Sequence, residues 1–389
     1  MKRKLLLIIY SLKRGGGAQK VTSDLLMSLS KTYEIYILTF QHFVDHYPII
    51  GNYYPLQDYS ESSIKILDFL KFFKVFRRII KIYKLIQKES PDLIISVMDY
   101  TNIYTIFTKF LFRLKIPLII SVHTNPTFTY SQNMRYINFL IKFAYSSKHV
   151  NRVVTVSKEI QKILEDNYKI KKNKLQTIYN GIELEKIQKM KNFKIKSHED
   201  LFLDKEIIKF INVSRLVELK GHRYLIEAFS NVKKEIPSSK LFIIGDGPLK
   251  NQLNRLIRKK SLIDDVLFLG FKKNPYKFVN KSDVFVLSSK HEALPTVLLE
   301  ALACGIPIIS TNCETGPNEI LNYGKYGILA NVMDSEDLAN KMIYLAKDKD
   351  LLHNYSKLSI ERSKFFDIKR MAKKWNNLIE LLANDKKNT

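Results

Sequence analysis

The feature that most constrains the fold is a series of short apolar runs that do not alternate. In the first half these are KLLLIIY (4–10), YEIYILTF (33–40), DLIISV (92–97), PLIISV (117–122) and RVVTV (152–156). In the second half they are IIKFINVS (207–214), KLFIIGDG (240–247), VLFLGF (266–271), DVFVLSS (283–289) and IPIIS (306–310). A strand with one wet face alternates apolar and polar residues, so unbroken runs call for strands buried on both faces. Helical patterns separate the runs. The repeated strand-then-helix order predicts an α/β chain with two doubly wound, Rossmann-like parallel-sheet domains.

A length of 389 residues supports two such cores. The division is expected in the polar stretch 179–206, giving domains 1–185 and 186–365. A last helix in 366–389 would either cap the second domain or cross back to the first. The start, MKRKLLLIIYSLKRGGG, has basic residues before an apolar run. That run is too short for a signal-peptide core and no small-residue cleavage site follows, so a buried first strand is expected. No window holds about 18 uncharged apolar residues, so no spanning helix is expected. Two cysteines, Cys304 and Cys313, exclude a disulfide framework and suit a reducing, cytosolic setting.

The net charge is +26. Residues 1–190 carry 30 Lys/Arg against 14 Asp/Glu, and residues 191–389 carry 34 against 24. Such a field attracts phosphate groups, whether on nucleic acid, an anionic bilayer or a phosphorylated substrate. Zinc spacing, an RNP-like stretch and a helix-turn-helix pattern are all missing, so no nucleic-acid partner is expected.

In open α/β sheets ligands bind beyond the carboxyl ends of the strands. After the first strand, Gly15, Gly16 and Gly17 precede a helix, where backbone N–H groups can approach an anion closely. A tight turn would read the same way, and the spacing is neither G-x-G-x-x-G nor a Walker loop. His123 follows PLIISV and is either a cleft residue or a hydrogen-bonded structural histidine. Arg215 and Lys220 follow a strand and suit a diphosphate, one as a fork and one as a point charge.

The stretch HEALPTVLLE carries Glu292 in a loop and Glu300 on the helix after it. Pro295 suits the first turn of that helix. The amides near Leu294, Thr296 and Val297 are then orphan donors that form an anion site with the helix dipole. The two carboxylates would lie roughly 12 Å apart along a helical rise and could hold opposite ends of an extended ligand. A first-turn acid and a solvated mid-helix glutamate would fit the same spacing. Asp348-Lys349-Asp350 has the D-x-D form of a metal site but follows a helical pattern, so a solvated helix end is expected there.

Together, E-x7-E in HEALPTVLLE, R-x4-K-G in SRLVELKG, the early GGGAQ and YNGIE resemble glycosyltransferase family 4. LFIIGDGPL and FLGF are similar to that family's second domain, and STNCETGPNEIL resembles a branch among bacterial surface-polysaccharide transferases. The resemblance covers nearly the whole chain. It implies the GT-B fold, two Rossmann-like domains facing across a cleft, the first for acceptor and the second for sugar nucleotide. It implies a retaining transferase for a hexose or N-acetylhexosamine from a nucleotide diphosphate sugar, here read as a UDP-sugar, with no metal cofactor. Glu292 would contact the donor sugar and His123 would stabilise the transition state. Arg215 and Lys220 would neutralise the diphosphate, which Leu294, Pro295 and Thr296 would hold with Gly16 and Gly17. Glu300 would bind the ribose, and Phe271 and Lys272 the base through their backbone. The family often has Glu where this chain has Gln19. Another GT-B enzyme, such as a UDP-sugar epimerase, would lack this E-x7-E context.

The last expectation concerns residues 66–90. From Phe69 to Lys88 there are seven basic residues and no acidic one. At 100° per residue, Lys71, Lys74, Arg77, Arg78, Lys81, Lys84 and Lys88 form one arc and apolar residues fill most of the rest. The apolar arc suits packing on the first sheet. The basic arc, Lys71, Lys74, Arg78 and Lys81 above all, would face an anionic membrane or a lipid-linked glycan acceptor, unless it is merely solvated. The expected setting is the cytoplasmic face of the inner membrane, with the enzyme peripherally attached and acting in surface polysaccharide or lipopolysaccharide synthesis.

Overall fold

The computed structural model describes residues 2–56, 68–129, 135–195 and 198–385. The chain forms two units, Met1–Asn180 with Ile368–Thr389, and Gly181–Asp367. The division thus falls five residues before 185.

The first unit contains strands β1 (Lys4–Ile9), β2 (Glu34–Thr39), β3 (Asn52–Pro55), β4 (Leu93–Val97), β5 (Leu118–Val122), β6 (Arg152–Thr155) and β7 (Leu175–Thr177). They form one sheet in the order β3-β2-β1-β4-β5-β6-β7, with every pairing parallel. The second unit contains β8 (Ile208–Val213), β9 (Ser239–Ile244), β10 (Val266–Gly270), β11 (Val284–Leu287), β12 (Ile308–Thr311) and β13 (Ile328–Ala330). Their order is β10-β9-β8-β11-β12-β13, again all parallel. Both sheets are doubly wound and Rossmann-like, and the ten apolar runs all lie on strands.

The central strands β4, β5 and β11 are buried at every position, which is why their sequences do not alternate. Three strands, β3, β7 and β13, were not expected. They are short edge strands, and NYYP, LQT and ILA are too brief or too proline-marked to register as apolar runs.

The C-terminal helix Ile368–Asp385 belongs to the first unit, where Trp375, Leu378 and Ile379 pack into the core formed by Leu5, Leu7 and Leu25. Arg3 holds it from outside, through Glu380 and Asn384. The second core gathers Phe210, Phe229, Leu241, Val284 and Met342.

Candidate functional site

The second sheet reverses its strand order between β8 and β11, so the segments leaving these two strands are neighbours at the carboxyl edge. The loop after β8 leans on the Gly245–Gly247 turn: Ser214 N donates to Ile244 O at 3.0 Å and Leu216 N to Asp246 O at 2.9 Å. Gly245 sits at φ +145°, and a Cβ there would lie 1.9 Å from Ser214 O, so only glycine allows this approach. The loop then makes a turn, Glu218–Lys220, and Gly221 at φ +63° opens the helix His222–Glu235. A Cβ on Gly221 would meet Ser288 O at 2.0 Å. Lys290 N donates to Leu219 O at 2.8 Å and Ser288 Oγ to Lys220 O at 2.9 Å, so the two post-strand segments are joined by hydrogen bonds.

A buried network backs this loop. Asn212 Nδ2 donates to Val286 O at 2.7 Å, and Ser214 Oγ donates to Asn212 Oδ1 at 2.8 Å. His222 Nε2 lies 2.9 Å from Ser214 Oγ, whose single proton is already used, so the imidazole is the donor there. Burial, with the Lys220 charge adding to it, lowers the His222 pKa to about 4. At neutral pH the ring is therefore uncharged, and the cations of this loop are Arg215 and Lys220.

Glu292 is fixed from three sides. Lys220 Nζ donates to its Oε1 at 2.5 Å and Ser289 Oγ donates to the same oxygen at 2.6 Å. The Thr315 hydroxyl donates to the Glu292 carbonyl. The paired side chains are 19% (Lys220) and 10% (Glu292) exposed, so water screens them little. Burial, followed by the Glu292 charge, pushes the Cys313 thiol up to about 12. That thiol stays protonated and donates to Ser289 O at 3.1 Å. Arg215, by contrast, is exposed, and its guanidinium makes no ion pair or hydrogen bond among the described residues.

The helix Thr296–Cys304 starts directly beyond Glu292. Pro295 is its N-cap, one position before the first turn where it was expected, and no side chain caps the helix among the described residues. Leu298 N donates to Pro295 O at 3.0 Å, and the N–H groups of Thr296 and Val297 ahead of it have no acceptor inside the helix and can meet an anion. Leu294 is buried beside them and Thr296 opens the helix. Glu300 lies on the same helix and accepts from the Tyr276 hydroxyl at 3.3 Å. Phe271 and Lys272 follow β10; Phe271 is exposed and Lys272 Nζ lies 5.8 Å from the Phe278 ring.

Direct contact thus joins Lys220 to Glu292, with Arg215, Leu294, Pro295 and Thr296 on the same two segments. Ser289, Thr315, Ser288 and His222 were missed. They sit in DVFVLSS, STNCETG and LKGH, and their polar residues directly after strands were the available signal.

In the first unit, Gly16 is the N-cap of the helix Gly17–Leu29, again without a side-chain cap among the described residues. The loop before it is braced by an Arg14–Asp45 ion pair at 3.0 Å and by Gly15 N, which donates to the Tyr47 hydroxyl at 3.4 Å. His123 directly follows β5, with Nε2 3.0 Å from Ser121 Oγ. Burial lowers its pKa to about 4, so its imidazole is neutral. It lines a small cavity with Thr22, Asn180 and Trp375.

The basic helix, Asp68–Glu89, departs in part from expectation. Ile79, Ile82 and Ile86 are buried against the unit, as the apolar arc requires, whereas Val75 and Phe76 of the same arc are exposed. The basic arc, however, does not face outward as a whole. Arg78 donates to the Tyr100 and Tyr104 hydroxyls and lies 5.3 Å from the Phe40 ring centre. Lys81 Nζ donates to Leu56 O at 3.0 Å. Both are half-buried and used within the unit, the Arg78 guanidinium amid aromatic rings and the Lys81 ammonium on a backbone carbonyl. Lys74 is exposed; residues 66 and 67 and the side chain of Lys71 lie outside the described residues. The D-x-D stretch is a cap: Asp348 accepts from Leu351 N and starts the helix Lys349–Ser363.

Comparison with known proteins agrees with this architecture. Residues 193–362 match the model for glycosyl transferases group 1, and residues 15–186 match that for Glycosyltransferase Family 4. An uncharacterized glycosyltransferase of Methanocaldococcus jannaschii is 36% identical over 343 residues, 79% of this chain and 84% of the relative. The N-acetylgalactosamine-N,N'-diacetylbacillosaminyl-diphospho-undecaprenol 4-alpha-N-acetylgalactosaminyltransferase of Campylobacter jejuni is 29% identical over 374 residues, 95% of this chain and 98% of the relative. The Anabaena protein HepE, solved in complex with UDP, superposes with a TM-score of 0.76 at 18% identity, covering 97% of this chain and 99% of its own, and so shares the fold. With both halves matched and the order of both sheets in place, the chain belongs to glycosyltransferase family 4 and has the GT-B fold.

Proposed function

We propose that this glycosyltransferase moves a hexose or N-acetylhexosamine, with retention, from a UDP-sugar to a membrane-lipid-linked glycan in surface polysaccharide synthesis, working at the cytoplasmic face of the membrane. One observation carries the donor half of the reading: Arg215, Lys220 and the uncapped start of Thr296–Cys304 converge at the switch point of the second sheet. Two cations and a helix N-terminus suit a diphosphate. As the sugar–phosphate bond breaks, negative charge grows on the departing nucleotide, and fixed donors in a partly dry site stabilise it at that moment. In this reading Lys220 turns from Glu292 toward the phosphate, which leaves Glu292 to the hydroxyls of the sugar ring. Glu300 holds the ribose, and Phe271 and Lys272 the base. Gly16, Gly17 and the neutral His123 serve the transfer from the first unit. With the cations performing the neutralisation, no divalent metal is needed.

The acceptor half is supported by the activities for which relatives are named. The Campylobacter jejuni relative acts on a diphospho-undecaprenol glycan, and an Escherichia coli relative, 27% identical over 310 residues, is a UDP-Gal:alpha-D-GlcNAc-diphosphoundecaprenol alpha-1,3-galactosyltransferase. The test is incubation with a panel of UDP-hexoses and UDP-N-acetylhexosamines and polyprenyl-diphosphate-linked glycans, read by mass spectrometry of the extracted lipid. One added sugar in the α configuration is expected. An epimerised UDP-sugar with no lipid product would overturn the reading in favour of the epimerase alternative.

A further inference from the structure

The basic helix turns two of its cations inward, yet another face of the first unit is both apolar and cationic. Phe139 and Phe143 lie one turn apart on the helix Arg135–Ser146 and are 68% and 62% exposed. Phe110, at the end of the helix Asp99–Leu111, is 59% exposed. With Lys142, Lys148 and His149 they line an open groove of about 420 Å³. The groove is held in shape from below: Lys109 Nζ donates to His149 O at 2.8 Å, and the Phe110 ring meets the His149 ring edge-on at 5.7 Å. Three large aromatic side chains gathered on a surface and open to water mark an interaction site, since folding would otherwise have buried them.

Charge selects the occupant. From residue 100 to residue 158 there are eight Lys/Arg and no Asp or Glu. Lys142 and Lys148 are exposed on the rim, and Arg113 and Lys115 are exposed just beyond Phe110. An apolar floor with a purely cationic rim complements a surface that is apolar inside and anionic outside. A second copy of the chain would bring two such rims face to face, which like-charge repulsion opposes. Phe110 and His149 stand near the amino ends of β5 and β6, whereas His123 and the glycine loop stand at carboxyl ends. The groove is therefore separate from the candidate site.

We propose that this groove is where the chain docks on an anionic lipid bilayer, Phe110, Phe139 and Phe143 entering the boundary of headgroups and acyl chains while Lys142 and Lys148 meet lipid phosphates. It builds on the reading of a lipid-linked acceptor given above, and the two can fail separately.

The experiment is co-sedimentation of the full chain with phosphatidylcholine vesicles, with and without phosphatidylglycerol, at low and high salt. The variants are Phe139→Ser with Phe143→Ser, and Lys142→Glu with Lys148→Glu; all four side chains are exposed, so melting temperatures should hold. Wild type is expected to pellet with phosphatidylglycerol vesicles and to be released by salt. Each double variant should lose at least about tenfold of that binding, while transfer to a short-chain, water-soluble acceptor analogue is unchanged. Equal pelleting of the variants and wild type, or no pelleting of wild type, would overturn the proposal. So would a wild-type dimer in sedimentation velocity that the Phe139→Ser, Phe143→Ser variant abolishes. Groove-dependent vesicle binding by a chain that glycosylates no lipid-linked acceptor would sustain the docking surface and refute the acceptor reading.

Discussion

The carboxyl edges of the two sheets share a topology and differ in their chemistry. At the second edge an ion pair, Lys220–Glu292, is locked by Ser289, Thr315 and Ser288, and an exposed Arg215 stands on the adjoining loop. At the first edge the corresponding loop ends in three glycines after Lys13 and Arg14, and the titratable residue after β5 is a histidine kept neutral by burial. The same switch-point topology thus carries a loop with the exposed Arg215 and the Lys220–Glu292 pair in one unit, and in the other a glycine turn beside the Arg14–Asp45 pair and a buried Asp99 that accepts from the Thr124 and Tyr145 hydroxyls. Two cations beside an uncapped helix start suit a diphosphate, and the second edge has them. The contrast teaches that the fold supplies the location while the side chains on the post-strand loops supply the chemistry.

The strongest way to break this contrast is to discharge the second edge. Arg215→Ala and Lys220→Ala should each lower kcat/KM by about 10²–10³, the cost of one preorganised electrostatic donor. Arg215→Lys should not restore it, because a point charge does not replace a fork. A double alanine variant with near wild-type transfer would locate the diphosphate elsewhere.

Glu292→Ala should sharpen the contrast by separating sugar from nucleotide. Most transfer activity should be lost while UDP binding, read by calorimetry, is kept, since the substitution leaves Lys220 free for phosphate. Loss of UDP binding together with activity would show that the pair is needed to shape the site as a whole.

A smaller effect is expected from pH. His222 titrates near 4 when folded and has an ordinary value near 6.5 when unfolded. Between these values the unfolded chain binds the proton and the folded chain does not, so stability is complete above about pH 6.5 and falls as the pH drops toward 4. The loss approaches about 3 kcal/mol for this one group. His222→Gln should flatten the melting-temperature profile across that window, and an unchanged slope would assign the acid sensitivity elsewhere, with His123 the next group to test.

Asp348→Ala should cost only about 1 kcal/mol, the loss of a helix cap, and leave transfer unchanged. A drop in activity would return the D-x-D stretch to consideration as a ligand set. The smallest expected effect is that of a chelator: activity should persist in excess EDTA, and loss reversed by Mg2+ or Mn2+ would show that the two cations do not suffice.

The sequence by itself determined the fold class, because unbroken apolar runs such as DLIISV and DVFVLSS can be satisfied only on strands covered on both faces. It also marked Arg215, Lys220, Glu292 and the Leu294–Thr296 helix start, since motif spacing puts them directly after strands. It did not determine partners. That Lys220 holds Glu292 and that Gly221 is required by Ser288 O join segments about 70 residues apart, and that Thr315 fixes Glu292 depends on a third strand. Helical periodicity grouped Arg78 and Lys81 with Lys74, yet the loops beyond β2 and β3 supplied Phe40 and Leu56, and the helix Asp99–Leu111 supplied Tyr100 and Tyr104, to draw them inward. In one dimension nothing separates the exposed Phe139 and Phe143 from the buried Ile141 and Ala144 of the same helix. Only the packing of helices on the sheet decided which face of each helix met the core, because that choice depends on neighbours distant in sequence.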